Sequence, residues 1–190
     1  MPFIISFAIM FIVNGEKTLK RKTTSPIEIF PTEEQKLLIG KEIQFSAFVY
    51  NYFLMYRFNL WKNEKKNIKF FEELDLLQVL KEENEWLKNV ENASLEQAIR
   101  DLDTDYYNFF TQNGNYPKCR KKDDKIQWYK TRNDNESIKL YDKERIIKMP
   151  YLGHVRFETK EDAFLDGKIS YAKIIKIENK YELILTLEIQ

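Results

Sequence analysis

The segment Pro26-Ile27-Glu28-Ile29-Phe30-Pro31-Thr32-Glu33-Glu34-Gln35 changes its period halfway along, and that change sets the fold class. Apolar Ile27 and Ile29 flank Glu28, the alternation of a strand with one face buried. Pro31-Thr32 then opens a helix: the Thr32 hydroxyl is placed to cap it, and Gln35, three residues on, completes a capping box. Downstream, Leu38, Phe45, Phe48, Val49, Tyr52 and Tyr56 recur at helical spacing and form one apolar stripe running to about Trp61. Upstream, the tract Lys20-Arg21-Lys22 reads as a solvated loop. Met1 to Val13 is almost wholly apolar, yet shorter than the roughly 20 residues a membrane-spanning helix needs. It also lacks the positive flank of a secretory signal, so a buried strand or a leader from an upstream start codon is expected there, and no membrane partner.

The helical period persists for some eighty residues. Residues 62–69 form a Lys/Asn-rich turn, and Phe71, Leu74, Leu77 and Leu80 mark a second helix ending near Asn84. Trp86-Leu87 punctuates the next connection. Ser94 with Gln97 reads as a second capping box, opening a third helix that carries Leu95, Ala98, Ile99, Leu102, Tyr106 and Phe109 until Gly114 and Pro117 stop it. Beyond Tyr116 the pattern alternates again. Candidate strands are Ile126–Lys130, Ser137–Tyr141, Arg145–Met149, His154–Phe157, Ile169–Glu178 and Tyr181–Glu188, the last two joined by Asn179-Lys180 as a hairpin. The expected fold is therefore α+β: a small antiparallel β-barrel interrupted by a three-helix insertion. Residues 1–25 form a leader, 26–116 the first barrel strand plus the insertion, and 117–190 the remaining barrel strands.

Composition narrows the chemistry. The chain has 190 residues, 43% hydrophobic and 15% aromatic, with 31 basic against 30 acidic side chains. That near-zero balance hides an uneven distribution. Lys118 to Arg132 holds seven basic and two acidic residues, a net of +5, whereas Glu64 to Asp105 holds six basic and twelve acidic, a net of −6. Cys119 and His154 are the sole representatives of their types, which excludes a disulfide framework and a Cys/His zinc site, and a reducing, cytoplasmic setting is expected. Asp101, Asp103 and Asp105 alternate, but on a helix only Asp101 and Asp105 share a face, and a solvated face is the expectation for them. No phosphate-binding glycine loop, dinucleotide fingerprint or nucleophile elbow is present, so neither catalysis nor a cofactor is expected. What stands out is Tyr116-Pro117-Lys118-Cys119-Arg120-Lys121-Lys122 followed by Trp128-Tyr129, cations for phosphates beside flat rings for unpaired bases.

Several stretches, in this order, resemble the N-terminal half of the TnpB (OrfB) family of transposon-encoded RNA-guided DNA endonucleases. They are Ile29 to Gln35, Phe48-Val49-Tyr50-Asn51-Tyr52-Phe53-Leu54, Trp86-Leu87, Leu95 to Phe110, Tyr116-Pro117-Lys118 with its basic run, Lys148-Met149-Pro150-Tyr151-Leu152-Gly153-His154-Val155, Gly167-Lys168-Ile169 and Lys180-Tyr181-Glu182-Leu183. The likeness runs from about residue 26 onward and departs from the family's pattern at Glu28, Ala47 and Glu96. It implies a wedge-type barrel with a helical recognition insertion that holds structured RNA or DNA. It also implies that the RuvC-like nuclease domain, with its three acidic residues, has no counterpart in these residues, so that the chain binds nucleic acid without cleaving it. On this resemblance Lys118, Arg120, Lys121 and Lys122 are the expected phosphate contacts, Trp128 a base-stacking ring, and Asn92 and Arg100 the recognition side of the third helix. Tyr50, Asn51, Leu102 and Phe109 are expected to form the fold. The rival expectations are a decayed, inactive transposon remnant and an interaction module that pairs with a full-length TnpB-like relative.

Overall fold

The computed structural model describes residues 20–158 and 167–189. The expected apolar leader lies outside the described residues. Strands β1 (Lys20–Thr23) and β2 (Ile27–Phe30) lead into three helices, α1 (Glu33–Glu64), α2 (Phe70–Glu83) and α3 (Asn92–Phe110). A 3₁₀ turn, Glu85–Asn89, links α2 to α3. Strands β3 (Ile126–Arg132), β4 (Lys139–Tyr141), β5 (Ile146–Met149), β6 (Gly153–Glu158), β7 (Lys168–Ile177) and β8 (Lys180–Ile189) follow. The switch at Pro31-Thr32 is built as its residues dictate. The Thr32 hydroxyl accepts the Gln35 N–H at 3.2 Å, and the Gln35 side-chain oxygen accepts the Thr32 N–H at 2.9 Å. The amide nitrogen of Gln35 also donates to the carbonyls of Leu152 and His154, both at 2.9 Å, so the cap ties α1 to the β5–β6 turn.

The strands form one antiparallel sheet in the order β3-β7-β8-β2-β6-β5-β4, with β1 added on β8. This corrects the expected barrel: β3 and β4 end the sheet and do not pair with each other. The link between them holds them apart. After β3, the Asn133 N–H donates to the Ser170 carbonyl at 2.8 Å and its side-chain amide to the Ile169 carbonyl at 2.9 Å, which keeps the chain on β7. A 3₁₀ turn with left-handed Asn135 and Glu136 then redirects it. The edge that closure would have used faces α3 instead: Lys130 reaches Asp101, and Thr131 reaches Glu91. Covering an edge with a helix removes the exposed row of backbone groups as closure would.

A second correction concerns Lys20-Arg21-Lys22, which is strand rather than loop. β8 is ten residues long, and β2 pairs only with Tyr181 to Leu183. β1 occupies the rest of that edge, with Lys20 opposite Ile189 and Thr23 opposite Thr186.

α1 passes through two cores. Ile39 and Ile43 join the sheet core with Ile27, Ile29, Tyr129, Ile147, Phe157, Leu183 and Leu185. From Val49 onward the same helix packs with Leu77, Leu80, Leu87, Leu95, Ile99 and Leu102. A helix of 32 residues is about 48 Å long, enough to serve as the spine of both.

The start of α3 is the third correction. Ser94 is not its cap. The helix begins at Asn92, and Ser94 is buried inside its first turn. The cap comes from α1: the buried carboxylate of Glu42 accepts the Glu91 N–H at 2.9 Å and the Ser94 hydroxyl at 2.5 Å. A carboxylate there also meets the positive end of the helix dipole. Glu91 in turn accepts the Thr131 hydroxyl at 2.6 Å. Burial pushes the Glu42 carboxyl up, and burial, opposed by the Thr131 bond, pushes Glu91 up to about 7.

Candidate nucleic-acid interface

The basic strip follows α3 and turns back over α1. Its fixed point is Asn51, whose side-chain amide donates to the Arg120 carbonyl and whose oxygen accepts the Arg120 N–H, both at 2.8 Å. One asparagine thus holds both backbone groups of a residue far away in sequence, as a neighbouring strand would. This fits the expected fold-forming role of Asn51. Tyr50 beside it is buried and donates its hydroxyl to Asp105 at 2.6 Å. Burial and the Asp105 contact raise the pKa of that phenol.

The Arg120 side chain does not face solvent. Its guanidinium is layered between two rings, 4.0 Å from the Tyr50 centroid and 3.8 Å from that of Trp128, and it pairs with Asp101 at 3.4 Å. Lys173 lies on Trp128 at 4.1 Å. Asp101 is only 8% exposed and also binds Lys130 at 2.7 Å. Burial lowers the pKa of both Arg120 and Lys173. The α3 carboxylates are therefore not a solvated face: Asp101 holds Arg120 and Lys130, Asp103 pairs with Arg57 at 3.2 Å, and Asp105 holds Tyr50. Among the described residues no group of three metal-ligating side chains comes together.

Lys118, Lys121 and Lys122 differ from Arg120. All three are exposed and make no ion pair among the described residues. The Lys121 N–H donates to the Asp124 carboxylate at 2.7 Å, and the Gln127 side chain donates to the Lys122 carbonyl, so the backbone beneath these lysines is tied down. Beside them α1 presents an open depression lined by Phe48, Asn51, Tyr52, Met55, Tyr56 and Asn59. Tyr52 and Tyr56 stack within it, and Trp86 packs edge-on against Phe48 at 4.9 Å. Asn51 belongs to both the clamp and the depression, which places the lysine loop next to exposed rings.

Asn92 and Arg100 lie on the α2 side of α3. Asn92 accepts from Lys81 at 2.7 Å, and Arg100 covers the Phe70 ring at 4.4 Å. The structure thus leaves Lys118, Lys121 and Lys122 exposed on one loop, turns Arg120 inward onto Trp128, and sets Asn92 and Arg100 against α2. Nothing in the sequence signals that Asp101, expected on a solvated face, and Lys130, counted only in the basic strip, pair with each other, or that Lys173 joins them over Trp128. Their partners stand one to two dozen residues or more apart, and no spacing rule connects them.

No described helix is long and apolar enough to cross a membrane. Residues 22–66 match a family described as a helix-turn-helix domain, of the OrfB type of IS605 elements. In this structure that stretch comprises the end of β1, β2 and α1, and α2 and α3 lie beyond it, so it contains one helix rather than a pair. A stretch of 97 residues is 33% identical to a protein from Streptomyces pristinaespiralis named "Putative RNA-guided DNA endonuclease". The match spans 49% of this chain and 24% of that relative's length.

Proposed function

Since this chain carries an N-terminal region of the TnpB/OrfB type, we propose that it is the nucleic-acid-holding part of a transposon-associated system and binds strands without cutting them. The observation that carries this reading is the Asn51–Arg120 clamp, which fixes three unpaired lysines beside an aromatic depression. Lysine ammoniums neutralise phosphates and release counterions, and open rings stack on unpaired bases without demanding a sequence. Arg120 and Trp128 serve as the brace that stiffens the loop, and the phosphate contacts fall to Lys118, Lys121 and Lys122. Binding without scission is supported by the engagement of the α3 carboxylates with internal cations and Tyr50, because divalent-metal phosphoryl chemistry requires free, convergent carboxylates. Guide RNA is the preferred ligand and target DNA the second.

The test is anisotropy with a labelled single-stranded RNA across a salt series. Three lysine contacts give a log–log slope of about −2 or steeper. The Lys121→Glu, Lys122→Glu double variant should flatten it by about 1.4. Binding by the wild-type chain that is weak and insensitive to salt would sink the proposal.

A further inference from the structure

Away from the lysine loop, the outward face of β4, β5 and β6 carries a charge pattern that the fold itself does not require. The register sets Lys139 opposite Lys148 and Lys148 opposite His154, a transverse row of two lysines and an imidazole across three strands. The next row sets Tyr141 opposite Ile146, Ile146 opposite Arg156, and Arg156 opposite Phe30. Burial alternates to match: Ile147, Met149, Val155 and Phe157 are buried in the core, whereas Lys139, Lys148, His154 and Arg156 are exposed. Cross-strand neighbours on one face stand about 5 Å apart, and like charges there repel, so the Lys139–Lys148 pair costs stability in the free protein. Among the described residues little offsets it. Lys139 pairs with Glu136 at 3.2 Å, and Lys148 has no ion pair among the described residues.

Flat side chains lie among these cations. The Tyr141 ring sits 6.0 Å from that of His154, Arg156 covers Phe30 at 5.1 Å, and Tyr151, in the β5–β6 turn next to the row, is 59% exposed. Further along the sheet the sign inverts: Glu28 stands opposite both Glu158 and Glu182. The face therefore has a cationic, ring-bearing end and an anionic end, which would confine a polyanion to the first.

We propose that the outward face of β4–β6 is a second binding site, one that takes a nucleic-acid strand with unpaired bases: Lys139, Lys148 and Arg156 hold phosphates, and Tyr141, Tyr151 and His154 offer stacking surfaces. The proposal rests on the reading of this chain as a nucleic-acid binder and adds a surface distant in sequence from the lysine loop. A phosphate ladder relieves the repulsion across the row, and the adjacent rings select an unpaired strand over a duplex.

The test uses the full chain and labelled oligouridylate, oligothymidylate and duplex DNA of equal length, with anisotropy read across a salt series. Lys139→Glu, Lys148→Glu is compared with Lys121→Glu, Lys122→Glu. All four lysines are exposed, and an unchanged thermal midpoint for each variant confirms folding. The sheet variant should weaken oligouridylate about tenfold and flatten the salt slope by about 1.4, independently of the loop variant. Tyr141→Ala with Tyr151→Ala should weaken the single strands and leave the duplex unchanged. If the loop variant loses affinity and the sheet variant matches wild type, this second site is refuted while the function above survives. If wild type binds none of the three probes, both fall. Equal loss on duplex and single strands in the sheet variant overturns the assignment to unpaired strands. The ratio of the losses on oligouridylate and oligothymidylate identifies RNA or DNA as the strand held.

Discussion

Glu91→Gln tests the seam between sheet and helices. Glu91 sits where α3 begins, its carboxylate on Thr131 of β3 and its backbone N–H on the buried Glu42 of α1. Burial pushes its pKa up to about 7 from 4.5; the Thr131 bond and Arg132 pull it down, and Glu42 and Asp134 push it further up. A carboxyl whose pKa is raised in the folded state binds its proton more tightly there than in the unfolded chain. Stability is then greatest below about pH 4.5, falls as pH rises through 7, and stays reduced above it. The rise is 2.5 units, so the charged form costs up to about 3 kcal/mol at pH 8. Glutamine keeps an acceptor for Thr131 and carries no charge. The variant should therefore be more stable than wild type at pH 8 by about 2–3 kcal/mol, or about 5–10 °C in thermal midpoint for a chain of this size. At pH 4.5 the two should agree within about 1 kcal/mol. Melts followed by circular dichroism at half-unit steps from pH 4.5 to 8.5 measure the difference, and subtracting the curves cancels the other titrating groups. A difference that is flat with pH, or a variant less stable at pH 8, would refute the buried, charged Glu91.

Asn51→Ala removes both bonds to the Arg120 backbone and should cost about 1–3 kcal/mol in a urea melt. It should also speed amide exchange in the 117–125 loop and weaken RNA binding, although Asn51 itself need not touch the ligand. Asp101→Asn leaves Arg120 and Lys130 facing each other with no anion between them. A loss of about 3 kcal/mol or more is expected from the same melt, and an unchanged midpoint would show that Asp101 is not their partner.

Where a local rule governed, the sequence was informative. Pro31, Thr32 and Gln35 define the start of α1 through contacts within one turn, and the alternation after Tyr116 located the later strands within a few residues. Ser94 with Gln97 satisfies the same capping rule, yet the helix starts earlier, because the Glu42 carboxylate from another helix accepts both the Glu91 N–H and the Ser94 hydroxyl that would have capped it. The aspartates of α3 read as a solvated face because helical spacing says nothing about which side meets a strand.

The same division holds for the candidate interface. Its exposed lysines are a contiguous run, and composition marked them. Arg120 belongs to that run, but its side chain turns inward to Tyr50, Trp128 and Asp101, partners lying 8 to 70 positions away. The basic row on β4–β6 is spread over a hairpin and a turn and becomes a row only through register. Most element types, the charged strip and the switch from strand to helix were thus determined by the sequence alone, since each depends on neighbours within a turn or a strand, whereas β1 is a strand only because β8 offers it an edge. The open sheet, the trans-supplied cap and the inward Arg120 were decided by the tertiary structure. Each depends on which distant group satisfies a buried charge or an unpaired backbone edge, and short-range periodicity carries no information about that competition.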